Sequence, residues 1–166
     1  MAKETEIKLR ATAKTLAALR DSSLVEQRRS QEWQQRNLLN CYFDTPQYSL
    51  AHAQVALRIR QDGEQLIQTL KTKGSSVAGL SERNEWDWDI SQNELDVEKL
   101  ADDCWPVELQ ELDKQQLTGI FHTDFTRQLV ELSWQSQGEQ VRAELALDSG
   151  TVRTQEHSEA ICEVEL

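Results

Sequence analysis

Apolar and polar residues alternate along most of this chain, the two-residue period of strands that turn successive side chains to opposite faces. The alternation is strict from Glu4 to Arg10 and predicts a first strand. Leu16 and Leu19 among Ala neighbours predict a short amphipathic helix over residues 12–22, with Thr12 as its cap. Strand patterns follow at Leu24–Trp33 and Leu38–Phe43, then a turn at Asp44-Thr45-Pro46 and a short helix over Gln47–Ala53. Val55–Gln61 and Gln65–Lys73 pair as a hairpin around Asp62-Gly63. Gly74 to Gly79 reads as a flexible stretch and Glu82–Ile90 as another strand. Residues 91–119 are acidic and Leu-spaced, predicting a helical excursion broken by Pro106 and closed near Gly119. Phe121–Gln135 and Gln140–Leu147 form a second hairpin at Gln137-Gly138, and Ile161–Leu166 is a last strand.

Splitting each strand into its two faces separates charge from apolar bulk. Glu4, Glu6, Lys8 and Arg10 oppose Ile7 and Leu9, while Arg58 and Arg60 oppose Leu57 and Ile59. Thr69, Lys71 and Lys73 share a face, and Arg83, Glu85, Asp87 and Asp89 oppose Trp86, Trp88 and Ile90. Glu144, Ala146 and Asp148 oppose Leu145 and Leu147, and Glu163 and Glu165 oppose Cys162, Val164 and Leu166. A half-buried sheet would turn such charged faces to water. Here, however, carboxylates dominate the first and last strands and basic residues the central ones, and the helices need apolar strand faces to cover. Both facts favour a closed antiparallel barrel with helices outside and charge lining its lumen. The fold class is therefore α+β, mainly antiparallel β. Charges inside such a lumen must pair or meet bound ions.

Composition narrows the partners. The chain has 166 residues, 38% hydrophobic and 28% charged, as a single globular domain does. The formal net charge of −11 argues against nonspecific nucleic-acid binding. No apolar run spans a bilayer and no signal core follows Met1, so the expectation is a cytoplasmic protein without membrane contact. Cys41, Cys104 and Cys162 are odd in number and scattered among apolar residues, as buried free thiols are. His52, His122 and His157 lack ligand spacing. An acidic protein binds a polyanion only where its basic residues are concentrated or metal ions mediate. Arg forks and Lys charges suit phosphate oxygens, and closely spaced carboxylates suit Mg²⁺ or Mn²⁺.

Several segments, in order, resemble one family. Glu4-Thr5-Glu6-Ile7-Lys8 resembles the Glu-x-Glu-x-Lys signature of the CYTH proteins, also called triphosphate tunnel metalloenzymes. Leu57-Arg58-Ile59-Arg60, Thr69-Leu70-Lys71, Arg83-x-Glu85, Asp124-Phe125-x-Arg127 and Cys162-Glu163-Val164-Glu165-Leu166 continue the match across nearly the whole chain. Leu38-Leu39-Asn40, Asp44-Thr45-Pro46 and Cys104-Trp105-Pro106 look most like the bacterial inorganic triphosphatases, in which a helical CHAD domain commonly follows.

The resemblance implies an eight-stranded antiparallel tunnel that hydrolyses inorganic triphosphate to pyrophosphate and phosphate. It implies metal ligands at Glu4, Glu6, Glu163 and Glu165, with Asp148 or Glu144 completing a second site for Mg²⁺ or Mn²⁺. Lys8, Arg58, Arg60, Lys71, Arg83 and Arg127 would bind phosphates. Glu4, Glu6, Lys8 and Glu85 would carry catalysis, Glu85 by orienting basic side chains or a water. Lys73 matches no signature and is placed at the tunnel mouth. Thiamine triphosphate hydrolysis, ATP cyclisation of the class IV adenylate-cyclase kind and non-catalytic polyphosphate binding are the alternatives. Family members continue past the Glu-x-Glu strand, so residues 1–166 are expected to be one tunnel domain cut short at its C-terminal end.

Overall fold

The computed structural model describes residues 2–77, 80–101 and 103–166; the side chains of residues 2–4, 75–77 and 81 lie outside that description. The chain runs through β1 (Ala2–Arg10), α1 (Ala13–Arg20), α2 (Ser23–Glu26), β2 (Gln34–Asp44) and α3 (Ser49–His52). It continues through β3 (Ala56–Asp62), β4 (Gln65–Lys71), β5 (Ser75–Val77) and β6 (Leu80–Ile90). The last strands are β7 (Thr118–Ser136), β8 (Glu139–Arg153) and β9 (Ser158–Glu165).

The strand order is β1-β9-β8-β7-β2-β3-β4-β6, and pairing of β1 with β6 joins the two ends, so eight antiparallel strands form the expected ring. Short β5 pairs with Leu80–Glu82 of β6 and so prolongs the line of β4 after a break. The break coincides with Gly74, where a Cβ would lie 1.7 Å from the Glu82 carbonyl oxygen. Only a residue without a side chain fits so close to the neighbouring backbone. The stretch expected to be flexible thus contains an edge strand, with Ala78 and Gly79 outside the described residues. Gln137 and Gly138 both have positive φ, 52° and 85°, the backbone that a tight hairpin between twisted strands requires.

Apolar packing lies outside the ring. One cluster centres on Leu57, Leu70, Leu100 and Trp105, with Trp86 and Trp88 packed against it, and covers β3, β4 and β6. The other joins Val25, Val130, Leu132, Leu145 and Leu147 with Leu16 and Leu19 of α1 over β7 and β8. Leu57, Leu70 and Leu100 are fully buried, each contributing roughly 1.5–3 kcal/mol relative to exposure.

Three readings of the pattern need correction. Leu24–Trp33 is not a strand: Ser22 caps the single turn of α2 by accepting from Val25 N, and an isolated bridge at Arg29, made by Arg28 O and Ser30 N, joins the segment to β7. Residues 91–119 hold three 3₁₀ turns, Val97–Lys99, Val107–Leu109 and Lys114–Gln116, in place of longer helices. Lys73 lies beyond the end of β4 and borders an outer groove with Trp86 and Cys104, away from the tunnel. The helix over residues 12–22 is present as α1, with Thr12 accepting from Thr15 N as its cap.

Candidate active site

The register decides which side chains meet inside the ring. Across β2, β3, β4 and β6 one row runs Tyr42, Arg58, Thr69 and Asp87, and the next runs Asn40, Arg60, Ile67 and Asp89. On the opposite wall Arg127 of β7 faces Asp148 of β8, which faces Glu163 of β9. On β1, Lys8 faces Glu165, and the β1–β6 register sets Glu6 opposite Ser81 and Glu4 opposite Arg83.

These faces enclose a cavity of about 520 Å³. Glu6, Lys8, Arg58, Arg60, Lys71, Arg83, Glu85, Arg127, Asp148, Glu163 and Glu165 all line it. Ten strand-borne positions singled out by parity alone, and Arg127 from the family motif, are thereby brought to one place. Glu144 is not, and Glu4 is placed by its backbone alone. The Glu4 side chain lies outside the described residues, and only its backbone register places it on this face. Glu144 shares the parity of Asp148 but is exposed and is not among the residues that line the cavity. Asp87 and Asp89, set on the charged face by parity but given no role, also line the cavity, where Asp87 accepts from Thr69 (2.6 Å) and Asp89 from Gln65 (2.8 Å).

The interior charge is arranged by wall. On the β7–β8–β9 side, Arg127 forms a bidentate pair with Asp148 (2.8 and 2.7 Å) and also donates to Glu165. Lys8 reaches Glu165 at 2.5 Å and Glu163 at 3.4 Å. Oxygens of Asp148, Glu163 and Glu165 all lie within 4.8 Å of one another, close enough to share one cation. Hard carboxylate oxygens in that number fit Mg²⁺ or Mn²⁺ better than softer metals. Burial pushes the Asp148 carboxyl above its ordinary range against the pull of Arg127. Burial acts the same way on Glu165, but Arg127 and Lys8 together outweigh it and hold Glu165 below the usual range.

The β3–β4–β6 side is basic. Glu85 sits between Lys71 (3.4 Å) and Arg58 (3.8 Å). Arg58 Nε is buried with no hydrogen-bond partner among the described residues. Arg60 is lowered to about 10 by burial and by the charges of Arg58 and Arg127, and so remains a cation at neutral pH. Three guanidiniums held close in a partly dry site favour an incoming polyanion.

Comparison with known proteins agrees with this geometry. A family model described as the CYTH domain matches residues 2–166. An inorganic triphosphatase of Haemophilus influenzae is 34% identical over 134 residues, which cover 81% of this chain and 36% of that protein. The chain therefore spans about a third of the length of that curated relative. Among solved structures, a Hippeastrum protein proposed as an adenylyl cyclase and found to have a dominant triphosphatase activity superposes with a TM-score of 0.56 at 19% identity. It covers 98% of this chain and 79% of its own. A Pyrococcus horikoshii protein superposes with a TM-score of 0.55 at 16% identity, covering 99% and 76%. At these identities the two structures bear on the fold alone.

Proposed function

The chain belongs to the CYTH family, and from that premise we propose that it hydrolyses inorganic triphosphate to pyrophosphate and phosphate within its tunnel. The observation that carries this reading is the meeting of Arg58, Arg60, Lys71 and Arg127 with Asp148, Glu163 and Glu165 in one cavity. Binding a polyanion needs only the basic half, so the carboxylate half calls for a second, cationic ligand. The name of the Haemophilus relative supports the choice of substrate.

In this reading the substrate's phosphates lie along Arg58, Arg60, Lys71 and Arg83, with Arg127 and Lys8 reaching in from the facing wall. Arg58 Nε lacks a hydrogen-bond partner among the described residues, so its guanidinium is short of an acceptor that a phosphate oxygen would supply. Glu85 holds Arg58 and Lys71 in register for adjacent phosphates. Asp148, Glu163 and Glu165 would hold Mg²⁺ or Mn²⁺, with Glu6 and Glu4 on the neighbouring strand as further ligands. A bound divalent ion there supplies charge neutralisation and polarisation of the phosphoryl oxygens toward water. As the charge spreads over the transferred phosphoryl group, the fixed guanidiniums stabilise it without reorganising. The three free thiols support a reducing cytoplasm as the setting, with a CHAD domain as the companion in the wider protein.

The test is phosphate release from tripolyphosphate, thiamine triphosphate and ATP, each with Mg²⁺, with Mn²⁺ and with chelator. Metal-dependent release, fastest from tripolyphosphate, is expected. Faster release from either organic triphosphate reassigns the substrate, and tight binding without release reduces the domain to a polyphosphate-binding module.

A further inference from the structure

Asn40 lies on β2 between Arg60 of β3 and Thr123 of β7, its register partners on either side. It is only 3% exposed, yet it is absent from the cavity lining, so it would act on a ligand only through a neighbour. Its Oδ1 accepts from Arg60 Nε at 2.9 Å, and its Nδ2 donates to Thr123 Oγ1 at 2.8 Å. The orientation of the amide follows from chemistry: a guanidinium N–H only donates, so the carbonyl oxygen must face Arg60. Thr123, itself nearly buried, then fixes the far side of the amide.

We propose that Asn40 is a positioning residue for Arg60, an uncharged anchor that fixes the guanidinium for a phosphate oxyanion without neutralising it. The inference rests on the triphosphatase reading. A neutral anchor matters because the site already contains the opposite arrangement: Arg127 is held by Asp148 and Glu165, so a phosphate must share its charge with two carboxylates. Arg60 donates its Nε to an amide and, among the described residues, forms no carboxylate pair, which leaves its charge for the cavity. The burial of Arg60 beside two other arginines makes that charge costly without an anion, which a loose side chain would evade by turning away. Bracing by Asn40 and Thr123 removes that escape. This also gives a function to the Asn of the Leu38-Leu39-Asn40 segment, to which the sequence assigned none.

A double-mutant cycle decides it, read on tripolyphosphate turnover and, by calorimetry without metal, on tripolyphosphate affinity. Asn40→Ala should lower kcat/KM by about 10- to 100-fold, the size of losing one fixed charge-assisted donor. In an Arg60→Ala background the same change should alter neither readout more than about twofold, since a residue acting through Arg60 has nothing left to position. Asn40→Asp, close to isosteric, should weaken affinity further than Asn40→Ala because its carboxylate competes with phosphate for Arg60. Thr123→Ser should keep wild-type kinetics and Thr123→Val should not. Independent, multiplying losses for Asn40→Ala and Arg60→Ala, or wild-type affinity in Asn40→Asp, overturn the proposal. Wild-type protein that binds tripolyphosphate without hydrolysing it overturns the hydrolase reading and leaves the affinity cycle to decide Asn40; wild-type protein that does neither overturns both.

Discussion

Glu165 is tied at once to Lys8 on the neighbouring strand and to Arg127 two strands away. Carboxylate crowding between the end strands would suggest that removing one acid relieves repulsion, but these pairs reverse the sign. Glu165→Gln should destabilise the protein by about 1–3 kcal/mol in chelator at neutral pH, because half-exposed Lys8 is left with Glu163 alone and buried Arg127 with Asp148 alone. The pH dependence follows from the direction of the shift. Glu165 titrates lower in the folded protein than its ordinary 4.5. Its contribution is therefore present above that value and is lost as pH falls through the folded value. Denaturant midpoints from pH 7 to pH 3 should converge for wild type and Glu165→Gln at the acid end. A constant gap across that range would mean that the ion pairs contribute nothing. The same geometry makes Lys8 and Arg127 competitors of a divalent cation, so Arg127→Gln should bind Mn²⁺ about tenfold or more tightly in the absence of substrate. Titration of free Mn²⁺ by its spin-resonance signal checks this, and weaker binding by the variant would contradict it.

At the scale of elements, Asp44 shows how a turn signal becomes structure. Its buried carboxylate accepts from the backbone N–H groups of Thr45 (2.7 Å), Leu50 (2.8 Å) and Ala51 (2.9 Å). It thereby stitches the end of β2 to the short helix α3, which delivers Leu50 to the outer core. Asp44→Ala orphans buried donors and should cost about 2–4 kcal/mol, read as a lower denaturant midpoint, while Asp44→Asn should cost less. Equal midpoints would show that the turn holds without the carboxylate. Elements with strict period two are legible in the sequence alone, and so is α1, whose cap and two leucines announce it. Residues 24–33 misled because Leu24, Val25 and Trp33 are apolar enough for a strand, whereas Ser22 starts a helical turn and only Val25 is fully buried. Residues 91–117 misled in the other direction. Their leucines are spaced like a helix, yet Leu100, Leu109 and Leu117 reach the core from separate 3₁₀ turns and connecting coil.

The whole molecule reverses the usual placement of a core: its two apolar clusters lie outside the ring, and its interior is charged. That inversion is why the candidate site was largely legible. Alternation marks both faces of every strand, and only closure of the ring determines which face is inside. Parity drew in Glu144 along with Asp148, because it marks a face and says nothing about exposure along it. Asn40 escaped because an amide among apolar neighbours carries no charge to notice. The ring also bears on how the protein reaches its native state. β1 is the strand that closes it, pairing residues 2–7 with residues 80–85 and residues 8–10 with residues 163–165. Among the described pairings those of β1 with β9 join the residues most distant in sequence, and loop-closure entropy predicts that they form late. Before β1 docks, β6 and β9 have bare edges of the kind that aggregate, and the lumen lacks Glu6 and Lys8. Tripolyphosphate affinity should therefore return with the slowest refolding phase, after tryptophan fluorescence has recovered. A variant that slows closure would lower yield and activity together while leaving the rate of turnover per folded molecule unchanged.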